Sequence, residues 1–186
     1  MRFSVTSIAL VTAVLVSGCD RGSPEAPVAN TANVAEGPEP AKPAALPGDA
    51  QGFISALATG DLYELESSRM ALQRQTSPGV NEMAQMLQRE HTQSSAKLKA
   101  AAAQAGLDVP ATVDAEKQKL IDELKAAQGA DFDQAFLNQQ RLQHAKTLMI
   151  IQNYQAVGDN PALKDLAASL QKRIEFHIDR LNATLK

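Results

Sequence analysis

From Asp49 onward, large apolar and small residues recur at alternating three- and four-residue intervals. That is the signature of helices with one inward face. Val80, Ala84, Leu87, His91 and Leu98 form one such stripe, and Leu163, Ala167, Leu170, Ile174, His177 and Leu181 form another. Leu137, His144 and Ile151 recur every seven residues, and Leu57, Glu64 and Ala71 share a line with Asp61 one turn before Glu64. Turn residues separate the stripes. The spacing predicts a helix over 49–75, then Ser77-Pro78 as the cap and first turn of a second helix ending at Ala105 before Gly106. A linker containing Pro110 follows, then a short helix over 114–128 closed by Gly129. Asp131, with Gln134 three residues on, reads as the start of a helix running to Val157, where Gly158 stops it. Asn160-Pro161 opens the last helix, to about Leu185. No alternating strand pattern occurs.

Connection lengths set the topology. Tight turns make the first two and the last two long helices antiparallel pairs. About 25 residues, 106–130, join the pairs. A long helix here measures about 40 Å. Seven extended residues reach about 23 Å, and the short helix adds about 22 Å. The connection can return the chain to its starting end, making the second and third long helices parallel. The expected fold is all-α, a ferritin-like four-helix bundle with one long crossover carrying a short extra helix.

Composition changes abruptly before this domain. Residues 19–48 are rich in Pro, Ala, Glu and Gly, with Val28, Val34 and Leu46 nearly their only large aliphatics. Such a segment buries too little apolar surface to offset its ordering entropy, which predicts a disordered tether. Residues 1–18 read as a lipoprotein signal peptide. Arg2 supplies the positive start, and 3–16 are apolar or small, too short to span a bilayer. Leu15-Val16-Ser17-Gly18-Cys19 resembles a bacterial lipobox and holds the only cysteine, the expected lipidation site. The expected localisation is therefore the cell envelope, on the periplasmic side and anchored to a membrane through Cys19. Asp20 resembles an inner-membrane retention signal. One cysteine excludes a disulfide framework. A net charge of −3 without a basic stripe argues against nucleic acid. The absence of tryptophan argues against a carbohydrate-stacking surface.

Chemistry enters with the histidines. The chain has three, His91, His144 and His177, one on each of three long helices. Glu64 and His91 lie at similar heights, about 20 Å from the turn between their helices. His144 and His177 lie about 23 and 27 Å from theirs. With Glu64 they would form an oxygen-plus-three-nitrogen set near mid-bundle, suited to one zinc, iron, copper or manganese ion. The alternative is a non-enzymatic envelope or stress-related interaction module in which the histidines form a structural polar network. Met70, Met83, Met86 and Met149 read as core filling. Glu90 would orient His91 or face solvent. Glu116, Lys117, Lys119, Asp122, Glu123 and Lys125 read as a solvated face of the short helix. No nucleophile elbow or phosphate loop is present.

Gly60-Asp61-Leu62-Tyr63-Glu64-Leu65-Glu66, Met70-Ala71-Leu72, Met83-Ala84-Gln85, Arg89-Glu90-His91-Thr92 and Gly129-Ala130-Asp131-Phe132-Asp133, followed by His144 and His177, resemble the bacterial "domain of unknown function 4142" family. The resemblance covers about residues 51–184. It implies an exported, often membrane-attached ferritin-like bundle and no established activity. Di-iron bundles of that fold carry Glu-x-x-His on two helices. Gln88 and Ile174 occupy the corresponding positions here, which argues against ferroxidase or oxygenase chemistry of the usual kind and favours a single ion.

Overall fold

The computed structural model describes residues 45–185. The expectations for Cys19, Asp20, the signal peptide and the tether up to residue 44 lie outside the described residues. Five helices make up the described chain: α1 (Ala50–Leu72), α2 (Pro78–Ala105), α3 (Ala115–Ala126), α4 (Gly129–Val157) and α5 (Pro161–Thr184). There is no strand among the described residues, nor a helix long and apolar enough to cross a membrane.

Side-chain bonds between helix ends establish the directions. The Gln51 side chain donates to the Asp108 carbonyl at 2.8 Å and accepts from its N–H at 3.0 Å, joining the start of α1 to the chain just past α2. Asn153 of α4 donates to the Pro47 carbonyl at 3.0 Å at that same end. At the opposite end the Ser77 N–H, before α2, donates to Asp133 near the start of α4 at 2.8 Å. So α2 and α4 run in the same direction, with Gly106 and Asp131 at opposite ends. Arg74, just past α1, donates to the Leu124 and Ala127 carbonyls at 3.1 and 2.7 Å, where the negative end of the α3 dipole favours a cation. Its guanidinium also lies 4.4 Å from the Phe132 ring centre.

Local chemistry explains the helix boundaries. Gly106 closes α2 at φ +65°, the left-handed conformation glycine adopts without penalty. The start of α4 differs from expectation. Gly129, at φ +52°, is its first residue and not the stop of α3. The Gln128 carbonyl accepts from the Asp131 and Phe132 N–H groups, so Asp131 falls in the first turn and is not the cap. It still faces the positive end of the helix dipole there. The first helix ends at Leu72, short of the expected 75.

Gly158 follows α4 in extended backbone because there is no room for more. A Cβ there would meet the Tyr154 carbonyl and lie 2.7 Å from its ring. Tyr154 is stacked on Phe53 at 4.0 Å and cannot yield cheaply. Gly158→Ala is therefore expected to destabilise the protein by about 1–3 kcal/mol, read from the urea midpoint.

Buried apolar residues form two clusters. One contains Phe53, Leu98, Tyr154 and Ile174, the other Tyr63, Leu87, Phe136 and Leu181. Between them along the helices lie buried polar groups, among them Asp61, Glu64, His91, Gln140, His144 and His177. Leu46, assigned to the tether by its composition, packs against the first cluster. Two further expectations fail. Lys117 is only 7% exposed and bonds Asp114 at 2.8 Å, its stem covering apolar surface. Met149 is 56% exposed and fills no core.

Candidate metal centre

The inward stripes of α2, α4 and α5 carry the three histidines to one level. His91 and His144 have ring centres 5.5 Å apart, His91 and His177 5.6 Å, and His144 and His177 5.1 Å. One nitrogen from each ring lies within 4.8 Å of one from each of the others.

Each ring is held from outside by an acceptor. His91 Nδ1 lies 2.7 Å from Asp61 Oδ1, and the other oxygen of that carboxylate accepts from Ser95 at 3.1 Å. His144 Nδ1 donates to the Gln140 carbonyl at 2.9 Å, one turn back on its own helix. His177 Nε2 lies 2.8 Å from Glu90 Oε2, which Arg173 also holds at 2.6 Å. A carbonyl cannot donate, and a carboxylate is acceptor-only when ionised. The outer nitrogens therefore carry the protons, and the inner nitrogens of neutral rings present lone pairs.

Two inner nitrogens face each other. His144 Nε2 lies 3.1 Å from His177 Nδ1. Two lone pairs at that distance repel unless a cation or an extra proton lies between or beside them. The extra proton is disfavoured: burial, with neighbouring His91 and His177, holds the pKa of His144 well below the ordinary range. Burial also lowers that of His177, outweighing Glu90. The third inner nitrogen, His91 Nε2, is buried and has no partner. For His91, burial opposes charge, but the Asp61 and Glu64 carboxylates outweigh it and raise the pKa.

Glu64 stands beside this set. It is 4% exposed, its Oε1 lies 3.6 Å from the outer nitrogen of His144, and its Oε2 has no partner. Burial, with Asp61 adding to it against His91, pushes its pKa to about 7.

The structure thus brings His91, His144 and His177 together, with Glu64 adjacent. Asp61, and not Glu64, is the carboxylate bonded to an imidazole on α1. The sequence pattern places Asp61 on the same stripe as Glu64, one turn before it, and that position is the available signal. Glu90 bonds His177 across the α2–α5 seam instead of its neighbour His91. Its side chain leaves α2 about 100° around from His91, toward α5.

The order of these residues from α1 to α5 agrees with one family. The model of a domain of unknown function, DUF4142, matches residues 35–184. The chain belongs to the DUF4142 family. No curated protein and no solved structure matches it. In this DUF4142 chain the family match spans α1 to α5 and so includes all three histidines, Asp61, Glu64 and Glu90.

Proposed function

We propose that this protein is a lipid-anchored periplasmic helical bundle, ferritin-like in topology, that binds one transition-metal ion through His91, His144 and His177. The observation that carries the reading is the acceptor placed behind each ring. All three outer nitrogens face acceptors, so the rings, when neutral, turn three lone pairs toward one small volume. Imidazoles oriented by carboxylates and carbonyls in this way are the usual surroundings of a metal-bound histidine. Imidazole nitrogen suits zinc, copper or iron, and a glutamate oxygen extends the choice to manganese. Three protein ligands leave a position for solvent or a small molecule. The competing reading, a structural network in an interaction module, draws on the 3.1 Å contact of His144 and His177, which one shared proton would make a hydrogen bond. Metal titration separates the two. The purified, metal-stripped protein is expected to take up one equivalent of zinc or cobalt and release protons as it does so. Uptake of none leaves the structural network.

The membrane assignment rests on Leu15-Val16-Ser17-Gly18-Cys19 and the uncharged stretch before it. Asp20 favours the inner membrane. Cys19→Ala is expected to move the protein from the membrane to the soluble fraction and to remove lipid detected by mass spectrometry. An equally membrane-bound variant rules out the anchor.

A further inference from the structure

The histidine cluster borders a cavity of about 30 Å³. Its walls are the aliphatic side chains of Leu57, Ile151, Leu170 and Ile174, and its polar edge includes Glu64, His91 and His144. A water molecule needs about 10–15 Å³ by this measure, so the space suits a molecule of about two heavy atoms. No lysine or arginine lines it, and carboxylates of Asp61 and Glu64 do. An anion is therefore disfavoured, and the aliphatic walls suit an uncharged guest.

Gly60 lies between this cavity and an outer pocket. It lies inside α1, where glycine costs about 1 kcal/mol relative to alanine. Neither usual reason for glycine applies. Its φ is not positive, and a Cβ there would meet nothing within 4 Å. What distinguishes the position is that Gly60 and Thr147 line both the inner cavity and an outer pocket of about 200 Å³. Both are partly exposed, whereas Leu57 and Ile151 are buried.

We propose that the cavity receives a small uncharged molecule of the diatomic class, which enters between Gly60 and Thr147 and binds beside the histidines. Coordination of that guest rests on the metal reading above; its capture does not. The small size of Gly60 keeps the passage open, and the small volume between the four aliphatic walls excludes larger molecules.

Two measurements on the full chain in detergent test this. In metal-free protein, xenon-129 NMR is expected to show a saturable site, with exchange at least tenfold slower in Gly60→Leu. In ferrous protein, nitric oxide is expected to bind one per iron with a spin-3/2 resonance. Its association should be at least tenfold slower in Gly60→Leu at unchanged iron content. Thr147→Leu narrows the same passage from α4 and serves if Gly60→Leu does not fold. Absence of a saturable xenon site, as for a cavity holding only water, overturns the proposal. So does wild-type guest exchange in both variants, or iron that is bound but ignores nitric oxide. Xenon capture slowed by Gly60→Leu in a protein that takes no iron upholds the pocket and defeats the metal reading alone.

Discussion

Replacing His91 with alanine is expected to abolish stoichiometric metal binding. The ring supplies one of three converging nitrogens, and its Nε2 has no protein partner to compete for it. Loss of a bonding partner behind a ligand typically weakens a site by about 10–100-fold, and loss of the ligand itself should exceed that. Asp61→Asn removes charge from the group 2.7 Å behind His91 while preserving its shape, and is expected to fall within that 10–100-fold range. Glu66, on the exposed side of α1 and paired with Arg69 at 2.6 Å, is the control: Glu66→Gln should bind as the parent does. Competition against a chromophoric chelator gives all three affinities. Circular dichroism is needed alongside, because His91→Ala leaves Asp61 with only Ser95, a loss worth about 1–3 kcal/mol. Retention of one equivalent at parental affinity by a folded His91→Ala protein would remove His91 from the site.

Above neutral pH the metal-free protein is expected to gain stability from Glu64→Gln, by about 3 kcal/mol relative to the difference at pH 4.5. The Glu64 pKa rises from the ordinary 4.5 to about 7 on folding. The folded state thus holds this proton more tightly than the unfolded chain. Its stabilising contribution is complete below about pH 4.5 and is lost as pH rises through about 7. The gap of 2.5 units, 7 minus 4.5, at about 1.4 kcal/mol per unit, less the part already lost at pH 4.5 where the unfolded group is half ionised, gives the figure. Glutamine carries no charge and escapes the loss. His91, with a raised pKa, also loses its contribution as pH rises above its unfolded value. His144 and His177, with lowered values, lose theirs as pH falls from about 6.5 through their lowered folded values. These terms act in both proteins and largely cancel in the comparison. Removing Glu64 lowers the His91 pKa somewhat, which trims the gain. Urea midpoints at pH 4.5 and pH 8 decide the matter: a difference that does not change with pH would mean that Glu64 is not buried with a raised pKa.

Much of this architecture follows from periodicity alone. The complete α5 stripe from Leu163 to Leu181, and His91 among Val80, Ala84, Leu87 and Leu98 on α2, are buried as their spacing requires. A helix rotates 100° and rises 1.5 Å per residue whatever it packs against. Phase and height are therefore properties of the chain, and counting residues from the turns placed three imidazoles at one level. The turn positions were equally local at Gly106, where one left-handed glycine ends a helix. At Gly129 they were not, because a positive φ serves the start of a helix as well as its end.

Tertiary structure decided which groups meet. Asp61 and Glu64 share one face of α1, so periodicity marks both as inward and cannot choose between them. The axial offset of α1 against α2 assigns Asp61 to His91, and the approach of α4 leaves Glu64 3.6 Å from His144. Glu90 is next to His91 in the chain yet bonds His177, because adjacent residues on a helix diverge while a neighbouring helix can meet either. Lys117 and Met149 depart from the sequence expectation for the same reason. Burial of a long side chain depends on what stands opposite it, and that is set by the positions of other helices. Hydrogen bonds change from made to broken within about 1 Å. Helix phase resolves a face to roughly a residue. The direction of the three imidazole lone pairs, on which the proposed chemistry depends, lies below that resolution and exists only in the packed bundle.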